Sequence, residues 1–85
     1  MAACDPVVFE DVSPEKWACL QAKIAAEGYA VTGDAGEATA SGVTLTWAYD
    51  SAAQTLTIQC TKHPFVLPCA LVNAKIKSLY DNSGC

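Results

Sequence analysis

Two segments of the chain, residues 41–50 and 55–61, alternate between apolar and polar positions. This period of two is typical of strands that have one covered face and one solvated face. Because only the short DSAAQ link lies between the segments, the pattern predicts an antiparallel hairpin. The apolar positions are Val43, Leu45, Trp47, Tyr49, Leu56, Ile58 and Cys60.

Two other segments, 13–27 and 68–80, carry apolar residues at helical spacing. Ser13 followed by Pro14 is typical of a helix start, and Gly28 is suited to the left-handed position that ends a helix. Pro68 predicts the first turn of the second helix. The apolar stripes comprise Trp17, Leu20 and Ile24 in the first helix, and Cys69, Val72, Ile76 and Leu79 in the second.

The remaining segments complete a predicted α-β-β-β-α order. YAVT at 29–32 is typical of a short strand, and GDAGEATASG at 33–42 is interpreted as a loop or an irregular strand lead-in, with its glycines serving turns. Residues 1–12 form a lead-in and residues 81–85 a tail. We therefore expect one small α+β domain over 1–85, a two-layer sandwich whose sheet, within 29–61, has three antiparallel strands and both helices on one face.

Composition excludes several functions. The chain is 52% hydrophobic and 16% charged, which favours a globular domain, and its net charge is −4 with no arginine. Nucleic acids and anionic membranes are therefore unlikely to be partners, because both are bound by clustered basic residues. The acidic N-terminal segment lacks an export signal, and no run is long enough to span a membrane. We expect a soluble, cytoplasmic protein, unless a leader was removed before Met1.

The five cysteines leave two alternatives open. Their share lies below the roughly 8–10% that is typical of secreted disulfide scaffolds, and their number is odd. We expect free thiols, as in a reducing compartment. The alternative is a disulfide framework that leaves one thiol over, and the sequence assigns no role to Cys4, Cys19 or Cys85.

The stretch CTKHPFVLPC places Cys60, His63 and Cys69 close together in sequence. Zinc accepts thiolates and imidazole in sets of four, so a fourth ligand, such as Cys4 or Cys85, would have to join them. Alternatively, Cys69 at a helix N-terminus would be an activated thiol with His63 as its base. We favour a third interpretation, in which the two cysteines are core residues and the histidine lies at a turn.

Residues 38–61 hold a single charge, Asp50. Edge strands are usually protected by lysine, proline or inward charges, so we predict that this uncharged sheet edge, or the sheet's outer face, pairs with a protein partner or a second copy of the chain. A solvated strand face is also simply a favourable place for threonine. The outer face comprises Thr44, Thr46, Thr55, Thr57, Gln59 and Thr61.

The predicted function is a non-catalytic binding or assembly module without a cofactor. One alternative is a small thiol-dependent enzyme, redox protein or zinc-binding protein that uses Cys60, His63 and Cys69. Another is a carrier of apolar ligands, with an aromatic crevice between helices and sheet. The crevice would be lined by Trp17, Tyr29, Trp47 and Phe65.

Overall fold

The computed structural model describes residues 3–31 and 33–85, and within them it has four strands and two helices. The strands are β1 (Val7–Phe9), β2 (Ala35–Ala40), β3 (Val43–Asp50) and β4 (Thr55–Lys62). The helices are α1 (Pro14–Ala26) and α2 (Cys69–Asp81).

All neighbouring strands are antiparallel, in the spatial order β1-β4-β3-β2. The predicted β3–β4 hairpin is present, with Leu45 opposite Cys60 and Tyr49 opposite Leu56. Asp50 Oδ1 accepts hydrogen bonds from the backbone of Ala52 and Ala53, which fixes the turn. The α+β class with two helices and an antiparallel sheet is confirmed, whereas the predicted number of three strands is wrong.

The fourth strand, β1, lies in the segment that was predicted as a lead-in. It is only three residues long, too short for its period to be recognised, and it forms by pairing with β4, with Val7 opposite Ile58. Its strand character therefore depends on a partner that is about fifty residues away in the sequence.

The placement of the other edge strand is also corrected. Residues 29–31 form no strand, Thr32 lies outside the described residues, and β2 occupies the segment interpreted as a glycine-rich loop. Gly36 serves packing rather than a turn, since a Cβ atom there would lie 2.9 Å from Cζ2 of Trp47. The small residues of β2 make room for a large ring on the neighbouring strand.

The ends of the helices follow local signals. Ser13 Oγ accepts a hydrogen bond from the Lys16 amide at 3.2 Å, and Gly28 adopts a φ of 99° after the C-cap of α1. Helix α2 begins one residue later than predicted, because Pro68 is extended and serves as its N-cap without a side-chain hydrogen bond.

The core lies between the helices and the apolar face of the sheet. Leu56, Val12 and Cys60 are its most completely buried side chains. Trp17 of α1 stacks on Tyr49 at 5.4 Å between ring centroids, and the Tyr49 hydroxyl donates to the Val12 carbonyl oxygen at 2.7 Å. Among the described residues, neither helix is long and apolar enough to cross a membrane.

Candidate functional site

Four of the five cysteines are paired. Disulfides join Cys4 to Cys69 and Cys19 to Cys85, with Cα atoms 5.4 and 5.9 Å apart, and Cys60 remains a free thiol. The expectation of free thiols is therefore wrong for these four residues, and the alternative framework with one thiol over describes the chain. The share of cysteine was a poor basis for predicting free thiols, because a share below that of disulfide-rich scaffolds does not exclude two disulfides.

The three residues predicted as an alternative thiol or zinc site do not form one group. Cys60 is fully buried and donates to the Lys62 carbonyl oxygen at 3.2 Å, and burial raises the pKa of its thiol. Cys4 takes its place, since ligand atoms of Cys4, His63 and Cys69 all lie within 4.8 Å of one another. The strand period had correctly assigned Cys60 to the core, but nothing in the sequence indicated that Cys4 pairs with Cys69.

The Cys4, His63 and Cys69 group has limited chemistry in this state. Nε2 of His63 lies 3.5 Å from Sγ of Cys69, which is the first residue of α2. Both sulfur atoms of the group are in the disulfide, so neither is a thiolate that could attack a substrate or ligate zinc. Nucleophilic and metal chemistry at this group would first need reduction of the bond.

The predicted threonine face is the side of the sheet opposite the helices, and much of its hydrogen bonding is internal. Thr44 is buried, and its hydroxyl lies 2.7 Å from that of Thr39 on β2. The Thr46 hydroxyl donates to the backbone carbonyl oxygen of Gln59, and the side-chain amide of Gln59 donates to the backbone carbonyl oxygen of Cys4. The other predicted members, Thr55, Thr57 and Thr61, are half-buried.

The edges of the sheet lie elsewhere than predicted. The hairpin strands β3 and β4 are the two central strands, so the hairpin has no free edge, and only residues 38–40 of the segment 38–61 belong to an edge strand, β2. Strand β1 is a short edge, with Asp5 and Pro6 before it, Glu10 after it and helix α2 in contact with it. Strand β2 is twice as long, and most of its residues are exposed. Glu37 is its one charged residue.

Strand β2 presents backbone groups to solvent along its outer edge. The Tyr49 amide donates to the Asp34 carbonyl oxygen at 2.7 Å, which marks the start of the β2–β3 ladder. Since inward and outward groups alternate along a strand, Gly36, Ala38 and Ala40 face β3. The amide and carbonyl groups of Ala35, Glu37 and Thr39 accordingly point away from the sheet.

Both ends of β2 are fixed. Before the strand, the indole N–H of Trp17 donates to Asp34 Oδ1 at 3.0 Å, and that of Trp47 donates to the Gly33 carbonyl oxygen at 3.3 Å. After the strand, Ser41 and Gly42 form a two-residue turn with φ values of 54° and 79°, the positive values that tight hairpin turns use. The exposed edge is therefore held in an extended conformation.

An apolar cavity of about 310 Å³ lies between α2, the end of α1 and the β2–β3 hairpin. It differs from the predicted aromatic crevice, because Trp17 and Trp47 are buried in the core and Phe65 is 86% exposed. Of the four predicted aromatic residues, only Tyr29 lines it. Aliphatic side chains form most of its wall, including Ile24, Val43, Leu45, Leu71 and Ile76.

Comparison of the chain with protein-family models, with curated proteins and with solved structures found no match. The function is therefore argued from the geometry of the described residues.

Proposed function

We propose that the chain is a non-catalytic module that binds an extended segment of a partner protein along the free edge of β2. The observation that carries this proposal is the outward-facing backbone of Ala35, Glu37 and Thr39 in a strand whose two ends are fixed. A strand added at such an edge gains main-chain hydrogen bonds without reorganising the sheet.

The composition of β2 supports this use of its edge. Edge strands that avoid pairing are usually short or carry lysine, proline or a bulge. Strand β2 has six residues, no lysine and no proline, and its pairing with β3 is regular. The short, flanked β1 has the usual protection, so we assign binding to β2.

The single charge of β2 indicates the chemistry of the partner. Glu37 is exposed at the middle of the three outward-facing residues. If two copies paired through β2 about this centre, Glu37 would lie opposite its own copy, which is unfavourable. A partner strand with lysine or arginine at that position would form a favourable cross-strand pair, and the net charge of −4 adds attraction. We therefore favour a basic partner over a homo-oligomer.

The threonine face has a secondary place in this proposal. Thr46 of β3 lies next to Glu37 of β2, and Thr57 and Gln59 lie one strand further on, on β4, so only a partner that folds over the uncovered side of the sheet would contact all three. Their small, uncharged side chains suit a flat contact, and the same face is the alternative binding surface if the edge itself does not bind.

The disulfides bear on where such a module would act. Protein disulfides form and persist in oxidising environments, and two of them are present here. We propose that the chain acts in such an environment, which disfavours the cytoplasmic location predicted from the sequence.

A selection of phage-displayed ten-residue peptides on the oxidised protein tests the proposal. We expect enriched peptides to alternate between apolar and polar residues and to contain a basic residue. Titrated into ¹⁵N-labelled protein, they should shift the amide resonances of residues 35–39 first, because those groups receive the new hydrogen bonds.

Matched variants separate the contribution of backbone hydrogen bonds to binding from the contribution of charge. Ala35→Pro removes one outward donor and should weaken binding, whereas Ala35→Ser keeps that donor and should not. Glu37→Lys should weaken binding of basic peptides, while Glu10→Lys makes the same charge change next to β1 and should leave the affinity nearly unchanged. If no peptide distinguishes Ala35→Pro from Ala35→Ser, or if the shifts map to Thr57 and Gln59, then β2 is not the binding edge.

A further inference from the structure

The apolar cavity has walls from three elements, and most of the wall residues also belong to the hydrophobic core. Leu71 and Ile76 of α2 form one wall, Val43 and Leu45 of β3 form another, and Ile24 of α1 closes the end. The space of about 310 Å³ is partly open to solvent, so a ligand can reach its apolar walls from the surface.

The volume limits the size of an occupant. An apolar cavity of about 150 Å³ holds benzene, which has six non-hydrogen atoms. A cavity of about 310 Å³ thus has room for about twelve such atoms by the same ratio. This matches a single aliphatic chain that lies largely within the cavity.

The polar groups at the cavity indicate the head group. Nζ of Lys75 lies 3.5 Å from Oε1 of Glu27, and both residues line the cavity. The two charges compensate each other, so the mouth offers a hydrogen-bond donor and an acceptor without net charge. Tyr29 and Ser41 add hydroxyl-bearing side chains to the lining. Burial raises the pKa of the Tyr29 hydroxyl, and the negative charges of Cys60 and Glu27 raise it further. A neutral head group that both donates and accepts hydrogen bonds suits this set best.

Two strongly exposed apolar side chains lie in the loop that leads to Leu67 of the cavity wall. Phe65 and Val66 are 86% and 72% exposed, in a turn closed by the Leu67 amide donating to the Pro64 carbonyl oxygen. Leu67 itself lines the cavity. Exposed apolar groups next to an apolar cavity are typical of a ligand entrance.

We infer that this cavity binds an uncharged, single-chain aliphatic molecule of about eight to ten carbons, such as a fatty alcohol, with its hydroxyl group at the Glu27–Lys75 pair. The site is independent of the outer edge of β2, so either assignment can fail without the other.

Titration of 1-octanol into the oxidised, ¹³C,¹⁵N-labelled protein tests the inference. We expect saturable one-to-one binding with a Kd of about 1 mM or lower, within the range that ligand efficiency allows for nine non-hydrogen atoms. Isotope-filtered nuclear Overhauser effects should connect the octanol chain to methyl groups of Leu45 and Ile76. Absence of saturation up to the solubility limit of octanol, or contacts only with the opposite face of the sheet, would overturn the site.

A pair of tryptophan substitutions provides the structural control. Leu71 and Val8 are 57% and 56% exposed, so a large residue is tolerated at either position, but only Leu71 lines the cavity. Leu71→Trp should fill the cavity and weaken octanol binding by about tenfold or more, whereas Val8→Trp should leave the Kd unchanged. Equal effects of the two variants would contradict binding in the cavity.

The head group is tested with three probes of equal chain length. At pH 7, 1-octanol should bind about threefold or more tightly than octanoate or octylammonium, because the compensated ion pair offers a charged head no net attraction to offset its loss of hydration. Lys75→Gln leaves Glu27 uncompensated and should make octylammonium the preferred probe. Lys77→Gln, on the same helix but outside the cavity, should preserve the preference for octanol. Octanoate binding tightest to the wild type would overturn the assignment of a neutral head group.

Discussion

The two helices have the same length and cover the same face of the sheet, but they are held there by different means. Helix α1 buries Trp17, Leu20 and Ile24, and its N-cap side chain is hydrogen-bonded. Helix α2 buries only Val72 and Ile76, lacks a side-chain cap and lies over the cavity.

Covalent bonds compensate for the weaker packing of α2. One disulfide is attached to its first residue, Cys69, and the other joins Cys85, four residues beyond its end, to Cys19 in the middle of α1. The comparison indicates that a helix fixed at both ends by disulfides can remain over an unfilled apolar space, which a helix held by packing alone would tend to close.

Removal of both disulfides should produce the largest effect. Each closes a loop of about 65 residues, for which the chain-entropy model gives about 4 kcal/mol, although the two overlapping loops are not additive. In a variant with all four cysteines replaced by serine, we expect the amide protons of α2 to exchange much faster than those of α1. Hydrogen exchange measured by NMR checks this, and equal protection of the two helices would contradict the comparison.

Truncation of one leucine on each helix tests the packing difference. Leu20 of α1 is 2% exposed and Leu71 of α2 is 57% exposed. Leu20→Ala should lower the free energy of unfolding by about 3 kcal/mol, whereas Leu71→Ala should lower it by less than about 1 kcal/mol. Urea denaturation of both variants measures the difference, and similar losses would show that α2 is packed as tightly as α1.

Addition of one carbon atom near each helix should change stability by different amounts. Gly36→Ala forces a methyl group against Trp47, which lies in the core beneath α1, and should reduce stability by about 1–3 kcal/mol. Val43→Ile extends a side chain into the cavity beneath α2 and should change stability by less than about 1 kcal/mol. Thermal unfolding followed by circular dichroism distinguishes the two, and strong destabilisation by Val43→Ile would argue against an open cavity.

The smallest effect concerns the hydrogen bond beneath α1. Tyr49→Phe removes the bond to the Val12 carbonyl oxygen and should lower the melting temperature by a few degrees at neutral pH. Burial, together with the charge of Asp34 and other nearby carboxylates, raises the pKa of Tyr49 above its ordinary value of 10.0. The unfolded chain therefore loses this proton first, so stability should fall as pH rises above 10, and by less in Tyr49→Phe. Thermal unfolding between pH 8 and 11 measures this, and parallel curves for both proteins would contradict it.

The parts of the fold that could be predicted are those with local signals. The β3–β4 hairpin follows from strict alternation and a short link, and α1 follows from Ser13, Pro14 and Gly28. Strand β2 was not predicted as a regular strand, because its small residues have low strand propensity. Their size fits them against Trp47 on the neighbouring strand, a contact that the local sequence does not show. Strand β1 was missed because three residues carry no recognisable period.

The candidate sites were less predictable than the fold. Cysteine connectivity does not follow from spacing, so the pairing of Cys4 with Cys69 had no sequence signal. The location of a free edge depends on strand order, which the sequence does not give. Without β2 and β1 on either side, the hairpin itself is expected to have the free edge. The cavity depends on the distance between α2 and the sheet, which no pattern of residues along the chain reports.

The disulfides interleave along the chain, since the first joins residues 4 and 69 and the second joins residues 19 and 85. A protease that cuts the chain once, anywhere between Cys4 and Cys85, therefore leaves two fragments that are still joined by at least one bond. Between Cys19 and Cys69, which includes the β2–β3 turn and the Phe65 loop, both bonds would join the fragments. A molecule nicked in an exposed loop would remain one covalent species, heavier by one water molecule, until a reductant separated the pieces.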